Sequence, residues 1–133
     1  MKAPQLIYYL DDDTDDLYFF KDVAESLGHK VQIFINGSVM LQALSRAPFP
    51  DVIFLDIHMP VFNGEEILNV IKKSEEWKHI PVVMISGAYP KKLVRSYLEA
   101  GANYLMKKPT ASEWRNSLGK VLEIDWNSFQ AYA

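Results

Sequence analysis

Five residues with side chains suited to chemistry come at the ends of short apolar runs: Asp11, Asp12, Asp56, Ser86 and Lys108. Three carboxylates held close together repel one another, which raises their pKa values unless a cation is present. Oxygen ligands of this kind suit Mg²⁺, which binds proteins through one or two carboxylates and keeps several waters. A carboxylate beside a metal is also a known nucleophile toward phosphorus, and its product is an aspartyl phosphate.

The last two residues of this set are suited to neutralising a phosphoryl group. A transferring phosphoryl group needs charge stabilisation on its oxygens more than it needs covalent help. The ammonium of Lys108 and the hydroxyl of Ser86 could supply that, and Gly87 would leave room for phosphoryl oxygens beside the backbone. We therefore expect one site in which Mg²⁺ and a phosphoryl group meet at Asp56.

These residues can converge only if the apolar runs before them are parallel strands of one sheet. The run Val52–Leu55 is too short and too β-branched for a helix and is typical of a fully buried strand. Five such strands are predicted, over residues 5–10, 30–35, 52–56, 81–85 and 103–107. Because helical segments alternate with them, the sequence predicts an α/β fold with helices on both faces of the sheet. Ligands bind such sheets at the C-terminal edge.

Local signals predict where the helices begin. Thr14 and its acidic neighbours suit the first turn of a first helix. Ser38 is expected to cap the second, Pro90 to occupy the first position of the fourth, and Thr110-Ala-Ser-Glu113 to form a capping box for the fifth. The third helix is predicted over residues 65–73.

Composition narrows the class of protein. The 133 residues are 49% hydrophobic and 23% charged, which suits one globular domain. There is no cysteine, so a disulfide framework and a thiolate metal site are excluded. The net charge of −3 and the scattered basic residues argue against nucleic-acid binding. The apolar runs are too short to cross a membrane and no signal-peptide core is found, so a cytoplasmic location is expected.

The chain resembles the receiver domain of a two-component response regulator, of the single-domain, chemotaxis-regulator type, over residues 5–123. Four motifs carry the resemblance: Asp11-Asp12, Leu55-Asp56-Ile-His-Met-Pro60 with Asn63-Gly64, Ser86-Gly87, and Lys108-Pro109. The resemblance implies a flavodoxin-like, five-stranded parallel sheet of order 2-1-3-4-5. Residues 124–133, which include Trp126, form a C-terminal tail that it does not place.

The resemblance also implies a role for each residue of the phosphorylation site. Asp56 matches the aspartate that accepts a phosphoryl group from a sensor histidine kinase or a histidine phosphotransfer protein. Ser86 matches the hydroxyl residue that turns toward this group, and Lys108 matches the lysine that pairs with it. Such a domain is a signalling phosphoacceptor rather than an enzyme with its own substrate. Its output acts in trans on an unknown downstream protein, as a monomer or a weak homodimer.

Mg²⁺ is the cofactor that the resemblance implies. Asp11 and Asp12 match the acidic pair that holds the ion, with Asp12 the favoured direct ligand, and Asp56 completes the carboxylate set. His58, two residues past Asp56, matches the position whose backbone carbonyl also binds the metal.

One departure from the family concerns its aromatic switch. Many receivers carry an aromatic residue three positions before the lysine, and here that residue is Leu105. Tyr104 lies one position earlier, and because side chains alternate along a strand it is expected to face the opposite way.

Two alternatives follow from the same residues. An unphosphorylated pseudo-receiver would act as a scaffold alone, and the missing aromatic keeps this interpretation open. A phosphatase of the haloacid-dehalogenase type also uses an aspartyl phosphate, Mg²⁺ and a lysine. That family needs Asp-x-Asp-x-Thr or Val after the first strand, whereas Asp11 and Asp13 are followed here by Asp15.

Overall fold

The computed structural model describes residues 3–57, 59, 63–87 and 91–127, without the side chains of residues 91–93. Within these residues the chain forms one parallel sheet of order β2-β1-β3-β4-β5. The predicted fold and strand order are confirmed. The strands are β1 (Leu6–Leu10), β2 (Lys30–Phe34), β3 (Val52–Asp56), β4 (Val82–Ser86) and β5 (Tyr104–Lys107).

Burial explains why the central strands are continuous apolar segments in the sequence. Every residue of β3 and β4 is buried, because helices cover both faces of a parallel sheet and leave no solvent-facing side for alternation. The strand pairing sets Leu10 beside Leu55, Asp56 beside Ile85, and Ser86 beside Lys107. The C-terminal ends of four strands therefore meet at one edge.

The described part of the chain has five helices: α1 (Thr14–Ser26), α2 (Gly37–Leu44), α3 (Gly64–Lys73), α4 (Lys91–Glu99) and α5 (Trp114–Leu122). Asp13 caps α1 by accepting from the backbone N–H groups of Asp15 and Asp16. Asn63 caps α3 in a capping box with Glu66. The predicted starts of these two helices are within one residue of those observed. Pro90, expected at the start of α4, lies outside the described residues.

Two other predicted helix starts are wrong. The side chain of Asn36, not that of Ser38, caps α2, and the Ser38 backbone N–H donates to it at 2.8 Å. Glu113 does accept from the Thr110 N–H at 3.0 Å, as a capping box requires, but the Glu113 N–H donates to the Thr110 carbonyl and closes a turn. As a result, α5 begins at Trp114.

The core consists of one apolar layer on each face of the sheet. Helices α2, α3 and α4 pack on one face and α1 and α5 on the other. Phe20 of α1 packs edge-on against Phe54 of the sheet and Trp114 of α5, with ring centroids 4.9 and 5.7 Å apart. The residues that the structure describes include no helix long and apolar enough to span a membrane.

Tyr104 and Leu105 lie on opposite faces, as predicted from strand alternation. Leu105 is buried in the layer with α2, α3 and α4, and Tyr104 packs against the layer formed with α1 and α5. Ile124 and Trp126 of the tail pack on that second layer too. Residues 128–133 are outside the described part of the chain.

Candidate functional site

Three carboxylates converge at the C-terminal edge of the sheet. Single oxygen atoms of Asp11, Asp12 and Asp56 all lie within 4.8 Å of one another. Asp11 and Asp56 are buried, whereas Asp12 is exposed. Strands β1 and β3 are direct neighbours, so the pairing of the sheet brings residues 45 positions apart in the chain (56 minus 11) into one cluster.

Asp11 is held by donors on both of its oxygens. The Asp13 backbone N–H donates to Oδ1 at 2.9 Å. The Tyr9 hydroxyl donates to Oδ2, and so does the Lys108 ammonium at 3.0 Å. Burial, followed by the Asp11 charge, raises the pKa of Tyr9 and keeps its hydroxyl protonated as a donor. These donors together fix the orientation of the buried Asp11 carboxylate.

Lys108, which follows the edge strand β5, forms ion pairs with two acidic residues. Its Nζ lies 3.0 Å from Asp11 Oδ2 and 2.8 Å from Asp16 Oδ2. Its backbone N–H donates to the Ser86 carbonyl at 2.8 Å, which anchors the segment after β5. Burial opposes the charged form, but hydrogen bonds to Asp16 and Asp11 outweigh it and raise the pKa of Lys108. The side chain therefore remains an ammonium at neutral pH.

Two members of this network were not predicted from the sequence. Tyr9 and Asp11 are two positions apart at the end of β1, so they lie on the same side of the chain, and that spacing could have identified Tyr9. Asp16 is in the first turn of α1. Its acidic character was interpreted as favourable to a helix start, and only the packing of α1 over the strand ends brings it to Lys108.

Ser86 ends β4 beside these carboxylates. The residue is buried and is paired in the sheet with Lys107. A Cβ added at Gly87 would have no neighbour within 4 Å, so there is open space next to the end of β4. The structure therefore brings together five of the predicted site residues: Asp11, Asp12, Asp56, Ser86 and Lys108. His58 lies outside the described residues.

The response regulator receiver domain family matches residues 7–117 of this chain. The matched region contains all four motifs noted in the sequence, and the fold and the strand-end cluster described above are in agreement with it. The chain belongs to this family.

This receiver domain matches some relatives over most of their length and others over a small part. It is 30% identical over 119 residues to the chemotaxis protein CheY-3 of Vibrio cholerae serotype O1, a match that covers 88% of this chain and 91% of that protein. It is 27% identical over 119 residues to sensor histidine kinase TmoS of Ectopseudomonas mendocina, with 89% of this chain and 12% of the kinase covered.

A solved structure gives the same fold. The phosphorylated cyanobacterial phytochrome response regulator RcpA superimposes on this receiver domain with a TM-score of 0.83 at 24% identity, over 95% of this chain and 96% of that one. The match extends over the sheet and its surrounding helices, so the strand-end cluster lies on a receiver scaffold.

The donor set of this receiver domain fits a hard divalent cation. Asp11, Asp12 and Asp56 all offer carboxylate oxygens, and one of the three residues is open to solvent. Mg²⁺ takes oxygen ligands and retains waters, which an exposed position permits. The Lys108 ammonium hydrogen-bonds to one of the three carboxylates, that of Asp11. Three carboxylates gathered this closely repel one another, and a bound cation would offset that repulsion.

Proposed function

We propose that Asp56 is the phosphoacceptor of this receiver domain. A carboxylate oxygen of Asp56 attacks the phosphorus of a phosphohistidine on a sensor histidine kinase or phosphotransfer protein. A P–O bond forms and the P–N bond breaks. The imidazole nitrogen leaves with the electron pair and takes up a proton.

The observation that carries this proposal is the convergence of three carboxylates with one ammonium at the end of β3. Asp56 is buried and lies at the C-terminal edge of the sheet, where ligands bind open α/β sheets. Lys108 is held as an ammonium within electrostatic reach of it, since the Asp56 charge also raises the pKa of Lys108. A cation of this kind offsets the charge that a phosphoryl group adds.

Mg²⁺ is the proposed cofactor, and Asp11, Asp12 and Asp56 are the residues that would hold it. When bound, the ion would neutralise charge on the phosphoryl oxygens. Independently of the ion, Tyr9 and the Asp13 N–H orient Asp11, and the Lys108 amide fixes the end of β5 to Ser86. The metal role of the His58 carbonyl stays a prediction.

The proposed output is a shift between two arrangements of the protein. A phosphoryl group adds up to two negative charges at one edge of the sheet, and it shifts an equilibrium only as far as it binds two states differently. Ser86 and Lys108 are the residues proposed to sense it. Because Leu105 is buried where many receivers have an aromatic, we propose that the switch works without a turning ring at that position.

The proposed partners are a histidine-phosphorylated donor and a separate downstream protein. The similarity to sensor histidine kinase TmoS supports a place in two-component signalling. A monomeric or weakly dimeric state and a cytoplasmic location stay predictions. The family match favours a signalling phosphoacceptor over a phosphatase of the haloacid-dehalogenase type.

Intact-protein mass spectrometry after incubation with acetyl phosphate tests the proposal. We expect a gain of one phosphoryl group that requires Mg²⁺ and is lost in Asp56→Asn. Asp22→Asn, which removes a charge from an exposed position of α1, is the matched control and should be labelled like the wild type. If folded wild-type protein gains nothing even when quenched rapidly, the pseudo-receiver alternative replaces the proposal.

A further inference from the structure

We propose that Asp16 is a positioning residue that competes with the phosphoryl group for Lys108, and so sets how strongly the protein responds to phosphorylation. This inference rests on the function proposed above. It concerns the ion pair between Asp16 and Lys108, two residues that are 92 positions apart in the chain.

The geometry shares the resting ammonium between Asp16 and Asp11. The Asp16 Oδ2 to Lys108 Nζ distance is 2.8 Å, shorter than the 3.0 Å to Asp11 Oδ2. Both side chains of the Asp16 pair are 22% exposed, so solvent screens the interaction only in part. A charge-assisted hydrogen bond of this kind is stronger than a neutral one, and it must be weakened before Lys108 can reach another anion.

The two carboxylates that hold Lys108 differ in their relation to the metal site. Asp11 belongs to the three-carboxylate cluster, and Asp16 does not. A divalent ion bound in the cluster would offset the negative charge of Asp11 and weaken the ion pair between Asp11 and Lys108. It would leave Asp16 as the anion that still competes with a phosphoryl group on Asp56.

The position of Asp16 makes this competition a property of the fold. Asp16 lies in the first turn of α1, where the backbone N–H of the same residue donates to the capping Asp13 side chain. The cap fixes the backbone position from which the Asp16 side chain extends. Helix α1 packs beside α5 on the same face of the sheet. Lys108 directly follows β5, so the ion pair joins the first turn of α1 to the end of β5.

Replacing Asp16 by Asn should release Lys108 without changing side-chain size. The probe is beryllium trifluoride, a phosphoryl analogue, titrated at saturating Mg²⁺ while the ε-methylene NMR signal of Lys108 is followed. We expect Asp16→Asn to bind it about three- to tenfold more tightly than the wild type. Asp16→Glu, which keeps the carboxylate, should bind with an affinity closer to that of the wild type.

Asp15→Asn is the matched control for charge. Asp15 is the neighbouring residue in the same helical turn and is exposed, so this variant removes the same charge from the same helix end. The affinity of Asp15→Asn for beryllium trifluoride should stay within about twofold of the wild-type value, because long-range effects of one exposed charge are screened. An equal gain in Asp15→Asn and Asp16→Asn would overturn the proposal, since it would reflect net charge alone.

A double-mutant cycle with Lys108→Met tests whether Asp16 acts through the lysine. In that background we expect Asp16→Asn to change the affinity no more than Asp15→Asn does, when followed by the backbone amide signal of Gly87. A full gain that persists without Lys108 would contradict the inference. Failure of the proposed function is seen separately, as absence of Mg²⁺-dependent phosphorylation of the wild type at Asp56.

Discussion

The backbone of Gly64 lies directly against the backbone carbonyl of Asp56. A Cβ at position 64 would be 2.5 Å from the Asp56 carbonyl oxygen and 3.2 Å from its carbon, closer than side-chain carbons approach backbone oxygens. Gly64 is the first residue of α3, and Asn63 before it caps that helix. The start of α3 is thereby packed against the residue proposed to accept the phosphoryl group.

Gly64→Ala should consequently destabilise the protein. The added methyl group meets backbone that cannot rotate away, and overpacking of this kind costs about 1–3 kcal/mol. Chemical denaturation with an unchanged m-value measures the effect. The matched control is Gly119→Ala in α5, where a Cβ meets nothing within 4 Å; it should be neutral or stabilising by up to about 1 kcal/mol. Equal stability of the two variants would refute the close contact.

Tyr9→Phe should lower the stability of the protein by about 1.5–3 kcal/mol, because it removes a hydrogen bond to a buried carboxylate. Tyr9 is fully buried and donates to Asp11. Tyr8→Phe makes the same chemical change at the adjacent position, on the opposite face of the sheet, and should have the smaller effect. Urea unfolding of both variants decides between them, and a larger loss for Tyr8→Phe would speak against the role given to Tyr9.

Lys72 joins three parts of the chain on the other side of the molecule. Its ammonium donates to the carbonyls of Lys78 and Ile80 and to Asn103 Oδ1, at 3.2, 2.9 and 3.1 Å. Lys72→Met should therefore lose about 1–3 kcal/mol of unfolding free energy, since these acceptors lose a charged donor. Lys73, which is exposed, provides the control. The unfolding free energy of Lys73→Met should stay within about 0.5 kcal/mol of the wild-type value. Thermal unfolding of both variants provides the comparison.

His29 should make stability depend on pH below 6.5. Its Nδ1 accepts the Gln5 backbone N–H at 2.9 Å, which requires an unprotonated nitrogen, and burial lowers the pKa of His29 from 6.5. Between 6.5 and the lower pKa of the folded state, the unfolded chain binds a proton that the folded chain does not. The stability contributed by His29 is present above pH 6.5 and is lost as the pH falls through this window.

The measurement is the unfolding free energy of the wild type minus that of His29→Gln, from pH 7.5 to 5. We expect this difference to fall as the medium becomes more acidic. Carboxylates that titrate at lower pH contribute to both proteins and cancel in the difference. A difference that stays constant over the range would show that His29 takes up its proton equally in both states.

The architecture and the positions of the strand-end residues could be predicted from the sequence. The apolar runs of β3 and β4 are uninterrupted, so side chains on both faces of these strands must be buried. Burial on both faces requires helices on both sides of a parallel sheet. That arrangement directs Asp11, Asp56, Ser86 and Lys108 to one edge, as predicted. Tyr104 and Leu105 lie on opposite faces of the sheet, which also followed from the alternation of side chains along a strand.

Helix starts were harder to predict because neighbouring polar residues compete for the same role. Asn36 and Ser38 can both cap a helix, and the backbone turn placed the Asn36 side chain within reach of the free N–H groups. Thr110 and Glu113 have the spacing of a capping box, yet the Glu113 N–H donates to the Thr110 carbonyl and closes a turn, so α5 begins only at Trp114.

The pairing of charges within the site, in contrast, depends on how the elements pack together. Asp12, Asp13, Asp15 and Asp16 are alike in sequence, and each suits the positive end of a helix. The packing of α1 over the strand ends brings one of them, Asp16, to 2.8 Å from Lys108. The same packing leaves Asp12 with the cluster around Asp56. Pairings of this kind depend on the placement of α1 relative to the strand ends, which no local pattern specifies, because long-range contacts form only when the whole sheet and its helices are assembled.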